Sequence, residues 1–257
     1  MLVAVAGCSL PNVASSAPGT AAPSASASAT AASPAPTATP TATPAAAPTV
    51  AMTPLPQASG QLTGTQLQTV LLTQSDFPAG YTLSSQTAVD SGGSLSSSPA
   101  TYDLATVSCA TFVEHLGSTG FGETAMAANT FSDQSQAYDQ VVYQFGSTGA
   151  ASGFVSGIKA LAGRCRSFTV TDNGTTGTFS LSAVDGAPVG GHPSIELTQT
   201  GRLGASSIVL TMLLSASGAD VFAGAAAGVG ASAPTSMATS TIVYTLMKRQ
   251  SAAAVLG

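Results

Sequence analysis

The first fifth of the chain cannot form a core, and this confines any fold to the residues after it. Residues 9–59 are almost entirely Ala, Pro, Ser, Thr and Gly, and the first charged residue of the 257 is Asp76. Such a stretch has too few large apolar side chains to offset the entropy of ordering, so we expect a disordered, rather extended tether. Residues 60–257 remain as one domain of ordinary size with a sizeable core.

A short apolar run precedes the tether. Leu2 to Gly7 lead into Cys8, and Ser9 comes next. This run resembles the lipobox of bacterial lipoproteins, in which the cysteine is acylated with chains such as palmitate. The resemblance implies that residues 1–7 are a signal-peptide remnant and that residues 8–59 are a lipidated tether. The protein would then sit on the extracytoplasmic face of the cell membrane.

The apolar run has no basic residue before it and is shorter than an ordinary signal-peptide core. We therefore expect the true start codon to lie upstream. The alternative interpretation is a free cysteine near an ordinary N terminus.

Composition excludes several classes of partner. Only 7% of the chain is charged and its formal net charge is −5, so no basic patch exists for a run of phosphates, and nucleic acid is not expected as a partner. The most apolar run, residues 208–214, is far shorter than the roughly 20 residues of a spanning helix. Membrane attachment is therefore expected through the lipid anchor only.

The other two cysteines are Cys109 and Cys165. In an oxidising compartment we expect them to form a disulfide. The alternatives are two free thiols or a metal site, for which His115 and His192 are the only histidines available. We expect neither a metal nor another cofactor.

Hydrophobic periodicity predicts an α+β fold. A period of 3.6 residues predicts helices at 64–73, 104–116, 150–164 and 235–249. A period of two predicts seven strands, at 123–132, 138–146, 167–171, 177–183, 194–200, 206–215 and 220–227. The turn signals Asp172-Asn173-Gly174 and 201–204 join neighbouring strands. We therefore expect a twisted antiparallel sheet, a meander of about six to seven strands, flanked by three to four helices.

The tract from Leu71 to Thr82, the two cysteines and the strand around Tyr143 together resemble a known family. They are similar to the actinobacterial extracytoplasmic sensor-domain lipoproteins, which have a PknH-like extracellular sensor domain, over roughly residues 60–250. The PsbP-like lipoproteins share this outline and remain an alternative. The resemblance implies a twisted antiparallel sheet flanked by helices, with a cleft for an unknown ligand. The sensor domain of the kinase PknH carries a second disulfide, and this chain has no further cysteines that could form one.

Catalytic patterns are not found. No serine lies in Gly-x-Ser-x-Gly, the carboxylates show no paired-acid spacing, and His115 and His192 are isolated. We therefore expect a protein that is not an enzyme.

Arg164 and Arg166 flank Cys165 and form the densest cationic spot outside the C terminus. They are candidates for binding an anionic ligand, the alternative being charge compensation at a helix C terminus. Glu196 and Arg202 are expected to face water on the outer side of a hairpin.

The sequence leaves three functional hypotheses. The first is a lipid-anchored extracytoplasmic sensor-like domain that binds an unknown cell-envelope ligand or partner protein. The second is a structural or chaperone-like envelope lipoprotein that binds other proteins. A hydrolase with an unrecognised site is the third.

Overall fold

The computed structural model describes residues 52–56, 60–90, 102–133, 136–172, 174–230 and 237–256. Cys8 and the greater part of the predicted tether lie outside these residues. No helix in the described part of the chain is both long and apolar enough to cross a bilayer.

The domain contains four α-helices and eight strands within the described ranges. The helices are α1 (Gly64–Val70), α2 (Cys109–His115), α3 (Thr148–Arg164) and α4 (Thr239–Leu256), and a short 3₁₀ helix covers Gln74–Asp76. The strands are β1 (Thr82–Asp90), β2 (Ala125–Ser132), β3 (Gln136–Gln144), β4 (Phe168–Asp172), β5 (Thr175–Val189), β6 (His192–Leu203), β7 (Ser206–Ser217) and β8 (Asp220–Val229).

All eight strands form one antiparallel sheet in the order β1-β2-β3-β8-β7-β6-β5-β4. Two meanders, β1 to β3 and β4 to β8, are joined where β3 pairs with β8. The α+β class is confirmed, and the predicted count of six to seven strands is too low. The missed strand is β1, an edge strand rich in Ser and Thr in which Leu83 is 45% exposed, so no alternating apolar face marks it.

Helices cover both faces of the sheet. We call the face against which α2 and α3 pack the α3 face; its core includes Phe112, Phe154, Leu161 and Met212. The opposite face, the α4 face, packs against α1 and α4 through residues such as Leu67, Phe222, Ile242 and Leu246. On β5 and β6 the α4 face carries exposed side chains, including Thr178, Val184, Glu196 and Thr200. The cover of the α4 face therefore ends near β7.

Several local predictions are confirmed. Thr63 and Gln66 form a capping box at the start of α1, and Phe154, Ile158 and Leu161 are buried on α3. The second helix starts at Cys109 rather than 104 because the Ser108 side chain caps it, accepting from the Thr111 N–H.

The predicted disulfide is also confirmed, because Cys109 and Cys165 are bonded. The bond ties the first residue of α2 to the residue immediately after α3.

The predicted turn at 201–204 is wrong in its position. β6 continues to Leu203, and β7 begins at Ser206. Arg202 therefore lies inside the strand, paired with Ser207, and its direction is fixed by the sheet rather than by a loop.

Candidate functional site

An open groove of about 700 Å³ lies at one end of β5, β6 and β7. Its lining consists of hydroxyl side chains, two arginines, and small or apolar residues. The lining residues are Arg166, Ser167, Thr176, Thr178, Phe179, Ser180, Thr200, Gly201, Arg202, Gly204, Ser207, Ile208, Val209 and Gly230.

Strand register brings the polar side chains of the groove together. Thr178 pairs with Arg202, and Arg202 pairs with Ser207 on the next strand. Ser180 pairs with Thr200, and their hydroxyl oxygens lie 2.9 Å apart. Because these positions alternate with buried ones, their side chains all stand on the α4 face, beyond its helical cover. This part of the sheet surface carries polar side chains and is accessible to solvent.

An aromatic ring supports the groove from the other side of the sheet. Phe179 is 2% exposed, and its ring is stacked with that of Phe168 on β4, with centroids 6.1 Å apart. A Cβ on Gly201 would lie 2.1 Å from the Phe179 ring, so only glycine allows the ring to rest on β6. The floor of the groove is therefore strand backbone packed on a buried ring.

The two arginines predicted together from the sequence are separated by the structure. Arg166 lines the groove, whereas Arg164 donates to the carbonyl oxygen of Leu104 at 2.7 Å. Cys165 between them is held by the disulfide and by its carbonyl oxygen, which accepts from the Leu181 N–H at 2.8 Å. The two neighbouring side chains therefore lie at different parts of the domain surface.

The groove is a cationic site in an acidic protein. The whole chain has 6 basic and 11 acidic residues, yet two of the basic residues and no carboxylate line the groove in the described part of the chain. Within that part, neither the Arg166 nor the Arg202 side chain has a hydrogen-bond or ion-pair partner, whereas Lys159 and Arg249 are paired with Asp185 and Asp76. Sequence reasoning missed Arg202 as a partner of Arg166, because the two are far apart in the chain and no local pattern links them.

A second polar cluster lies at the opposite end of the sheet. Asp220, at the start of β8, accepts from Gln144 Nε2 at 3.2 Å and from Gln250 Nε2. Gln144 also accepts from the Leu62 N–H, which ties the segment before α1 to the sheet. Burial raises the pKa of Asp220 to about 7, against a smaller lowering by the Gln144 hydrogen bond. The cluster is buried and therefore structural rather than a surface for a ligand.

A serine and a histidine also meet at this end. His192 Nε2 lies 3.2 Å from the Leu55 carbonyl oxygen and 3.4 Å from Ser217 Oγ. A carbonyl oxygen only accepts, so Nε2 carries the proton when it bonds to Leu55. It then has no lone pair with which to take a proton from Ser217, and the pair is not arranged for nucleophilic catalysis.

The other histidine is held by an aromatic neighbour. His115 Nε2 lies 2.8 Å from the Tyr102 hydroxyl, and the two rings are stacked. Among the described residues, no three of His, Cys, Asp and Glu come close enough to hold a metal ion.

The chain enters the domain at the end opposite the groove. Leu55 donates its N–H to the Gly190 carbonyl oxygen at 2.9 Å, and its side chain packs against the core of the α4 face. Packing thus begins upstream of the predicted domain boundary at residue 60. From His192, beside Leu55, to Arg202 in the groove, β6 rises by roughly 34 Å.

Comparison with known proteins supports the fold. The extracellular domain of PknH from Mycobacterium tuberculosis superposes with a TM-score of 0.52 and 17% identity, over 74% of this chain and 96% of that one. An uncharacterised Rv0999 ortholog from Mycobacterium smegmatis is similar over 74% of this chain and 94% of that one, with 10% identity and a TM-score of 0.35.

No family model and no curated protein matches the sequence. The predicted resemblance to a PknH-like extracellular sensor domain is confirmed in its fold.

Proposed function

We propose that this protein is an extracytoplasmic sensor-like binding domain, anchored through lipid on Cys8, and that the groove holding Arg166 and Arg202 is its ligand site. The observation that carries the proposal is that two guanidinium groups, neither of them paired within the described residues, line one groove together with several hydroxyls. A concave, largely apolar lining with a few charged and hydroxyl side chains is typical of a ligand site.

The path of the chain supports this assignment. The proposed tether of residues 8–59 meets the domain near Leu55, and the groove opens at the far end of the same strands. A lipid-anchored domain would then present its groove away from its own attachment point. The extracellular domain of PknH, which has the same fold, also lies outside a cell membrane.

The chaperone-like alternative has less support. Such a protein needs a contiguous exposed apolar patch. The exposed large hydrophobic side chains in the described part of the chain are Leu83, Val184 and Val229, which lie on three different strands. Single exposed apolar residues of this kind are common on soluble proteins and do not form a binding patch.

The test is a thermal-shift screen of the full chain with envelope lipids, glycans and peptidoglycan fragments. A ligand at a hundredfold excess over Kd should stabilise by about 2.7 kcal/mol, which raises Tm by about 5 to 10 °C in a domain of this size. Thr200→Trp would fill the groove, and Val184→Trp is a matched control at an exposed position on the same face.

We expect the envelope component that raises the Tm of the wild type to raise the Tm of Val184→Trp as well, but not that of Thr200→Trp. Equal stabilisation of both tryptophan variants would exclude the groove as the ligand site. Turnover of an ester, peptide or glycoside that vanishes with one Ser or His substitution would refute this proposal and support the hypothesis of a hydrolase.

A further inference from the structure

The charges at the groove restrict what it can hold. Arg166 and Arg202 bring two permanent positive charges, because a guanidinium stays protonated at all physiological pH values. The acid on the same sheet face of β6, Glu196, is exposed and lies about 20 Å from Arg202 along the strand. In the described lining, nothing neutralises the two arginines.

The donors around these charges outnumber what a carboxylate can use. Each guanidinium presents five N–H groups, Thr178 and Ser207 are the strand neighbours of Arg202, and Thr200 also lines the groove. A carboxylate has two oxygens and one charge, which one arginine can satisfy in a bidentate pair. A terminal phosphate has three free oxygens and a charge of about −1.5 to −2 at pH 7. Charge and donor count thus match the phosphate.

The lining also indicates what carries the phosphate. Its Ser and Thr side chains can both donate to and accept from sugar hydroxyls, whereas the one aromatic ring of the lining, Phe179, is buried and offers no stacking surface. A nucleobase would find no platform here. A carrier rich in hydroxyl groups can form hydrogen bonds with the threonine and serine side chains of the lining.

On the premise that the groove is the ligand site, we propose that it binds a phosphate monoester of a sugar or polyol. The phosphate lies between the guanidinium groups of Arg166 and Arg202, and the carrier's hydroxyls contact the side chains of β5 and β6. The backbone of Arg166 follows the disulfide-bonded Cys165, and that of Arg202 is held in register with Thr178, so both side chains extend from fixed backbone positions at the groove.

The experiment is calorimetric titration of the full chain with glucose 6-phosphate, glucuronate and glucose. These probes share one ring and differ in the anionic group. Phosphatidylcholine vesicles with and without a phosphoinositide monophosphate then distinguish a soluble phosphate from a lipid headgroup. The variants are Arg166→Gln and Arg202→Gln, with Arg164→Gln as a matched control from the same segment but outside the groove.

We expect glucose 6-phosphate to bind at least about tenfold more tightly than glucuronate. The phosphate has a larger charge and one more oxygen, so it can make more charge-assisted hydrogen bonds to the two arginines. Arg166→Gln and Arg202→Gln should each weaken it by about tenfold or more, and added salt should weaken it further. Arg164→Gln should bind as the wild type does. Both groove arginines are exposed and unpaired, so their variants should keep the wild-type Tm. Arginine-dependent binding to the phosphoinositide vesicles alone would assign the same phosphate chemistry to a lipid.

Other outcomes separate the two proposals. Binding of glucuronate or glucose as tight as that of glucose 6-phosphate, blocked by Thr200→Trp, would overturn the phosphate inference and leave the groove as the ligand site. Phosphate binding that Arg164→Gln weakens as much as the groove variants do would place the anion elsewhere and also overturn it. If no probe and no envelope fraction binds in a way that Thr200→Trp blocks, both proposals fail.

Discussion

Replacing Asp220 by asparagine should make the domain more stable at neutral pH. The carboxyl is 1% exposed, and its hydrogen-bond partners are the neutral amides of Gln144 and Gln250. Gln250 Oε1 is also buried and without a partner. If the Gln250 amide turns over, Oε1 can accept from an asparagine Nδ2 while the asparagine oxygen still accepts from Gln144. The flip moves the unsatisfied position of Gln250 from Oε1 to Nε2 and leaves the number of unsatisfied buried atoms unchanged, so the expected gain comes from removing a buried charge.

The size of the effect depends on the raised pKa of Asp220. Burial moves it from 3.8 to about 7, so the folded state holds the proton more tightly than the unfolded state does. The free energy of unfolding therefore falls as the pH rises from about 4 to about 7, by at most about 4 kcal/mol from this group. Asparagine has no charge to bury. We expect Asp220→Asn to gain about 1 to 4 kcal/mol at pH 8 and close to nothing at pH 4.

The assay is urea unfolding of the full chain at pH 4, 6 and 8, monitored by far-ultraviolet circular dichroism, since the chain contains no tryptophan. Asp185→Asn is the control. That carboxylate is 78% exposed in its pair with Lys159, so its loss should change stability little and without this trend in pH.

Two results would refute the reasoning. One is a loss of stability in Asp220→Asn at pH 8. The other is a difference from the wild type that is the same at pH 4 and pH 8, which would mean that Asp220 does not carry the proton we assign to it.

Three further predictions concern the groove floor, the disulfide and the anchor. Gly201→Ala should lower the free energy of unfolding by about 1 to 3 kcal/mol, because its Cβ would overlap the Phe179 ring. Gly163→Ala, at an exposed helical site with open space, should raise it by about 0.5 to 1 kcal/mol, and equal effects would contradict the packing argument. Replacing both Cys109 and Cys165 by serine should cost about 4 kcal/mol in thermal or urea unfolding, and an unchanged Tm would count against a constraining bond. A metabolic fatty-acid probe should label the protein when it is exported behind a complete signal peptide but not its Cys8→Ser variant, since serine cannot form the thioether. Labelling of both would exclude the lipobox.

Much of the fold could be predicted because its signals are local. Phe154, Ile158 and Leu161 recur at the helical period and are all buried on α3. The two cysteines of the domain had only each other as partners, and they are bonded. Strand β1 could not be predicted, because an edge strand with exposed Leu83 carries no alternating apolar face.

The candidate site could be predicted only in part. The sequence places both Arg164 and Arg166 beside Cys165, and nothing in it distinguishes the one from the other. The structure separates them, since Arg164 bonds to Leu104 and Arg166 lines the groove. The sequence predicts that Arg202 faces water as an ordinary hairpin residue. It is exposed, but it is also part of the groove.

The sequence by itself determined which segments can fold, which of their faces are apolar, and that two cysteines were free to pair. Only the tertiary structure decided which strands the helices leave uncovered, and hence that Arg166 and Arg202 share a groove while Asp220 is buried without a cation. The physical reason is that periodicity reports how one element buries its own side chains. A groove and a shifted pKa depend on which other elements pack nearby, and those contacts join residues far apart in the chain.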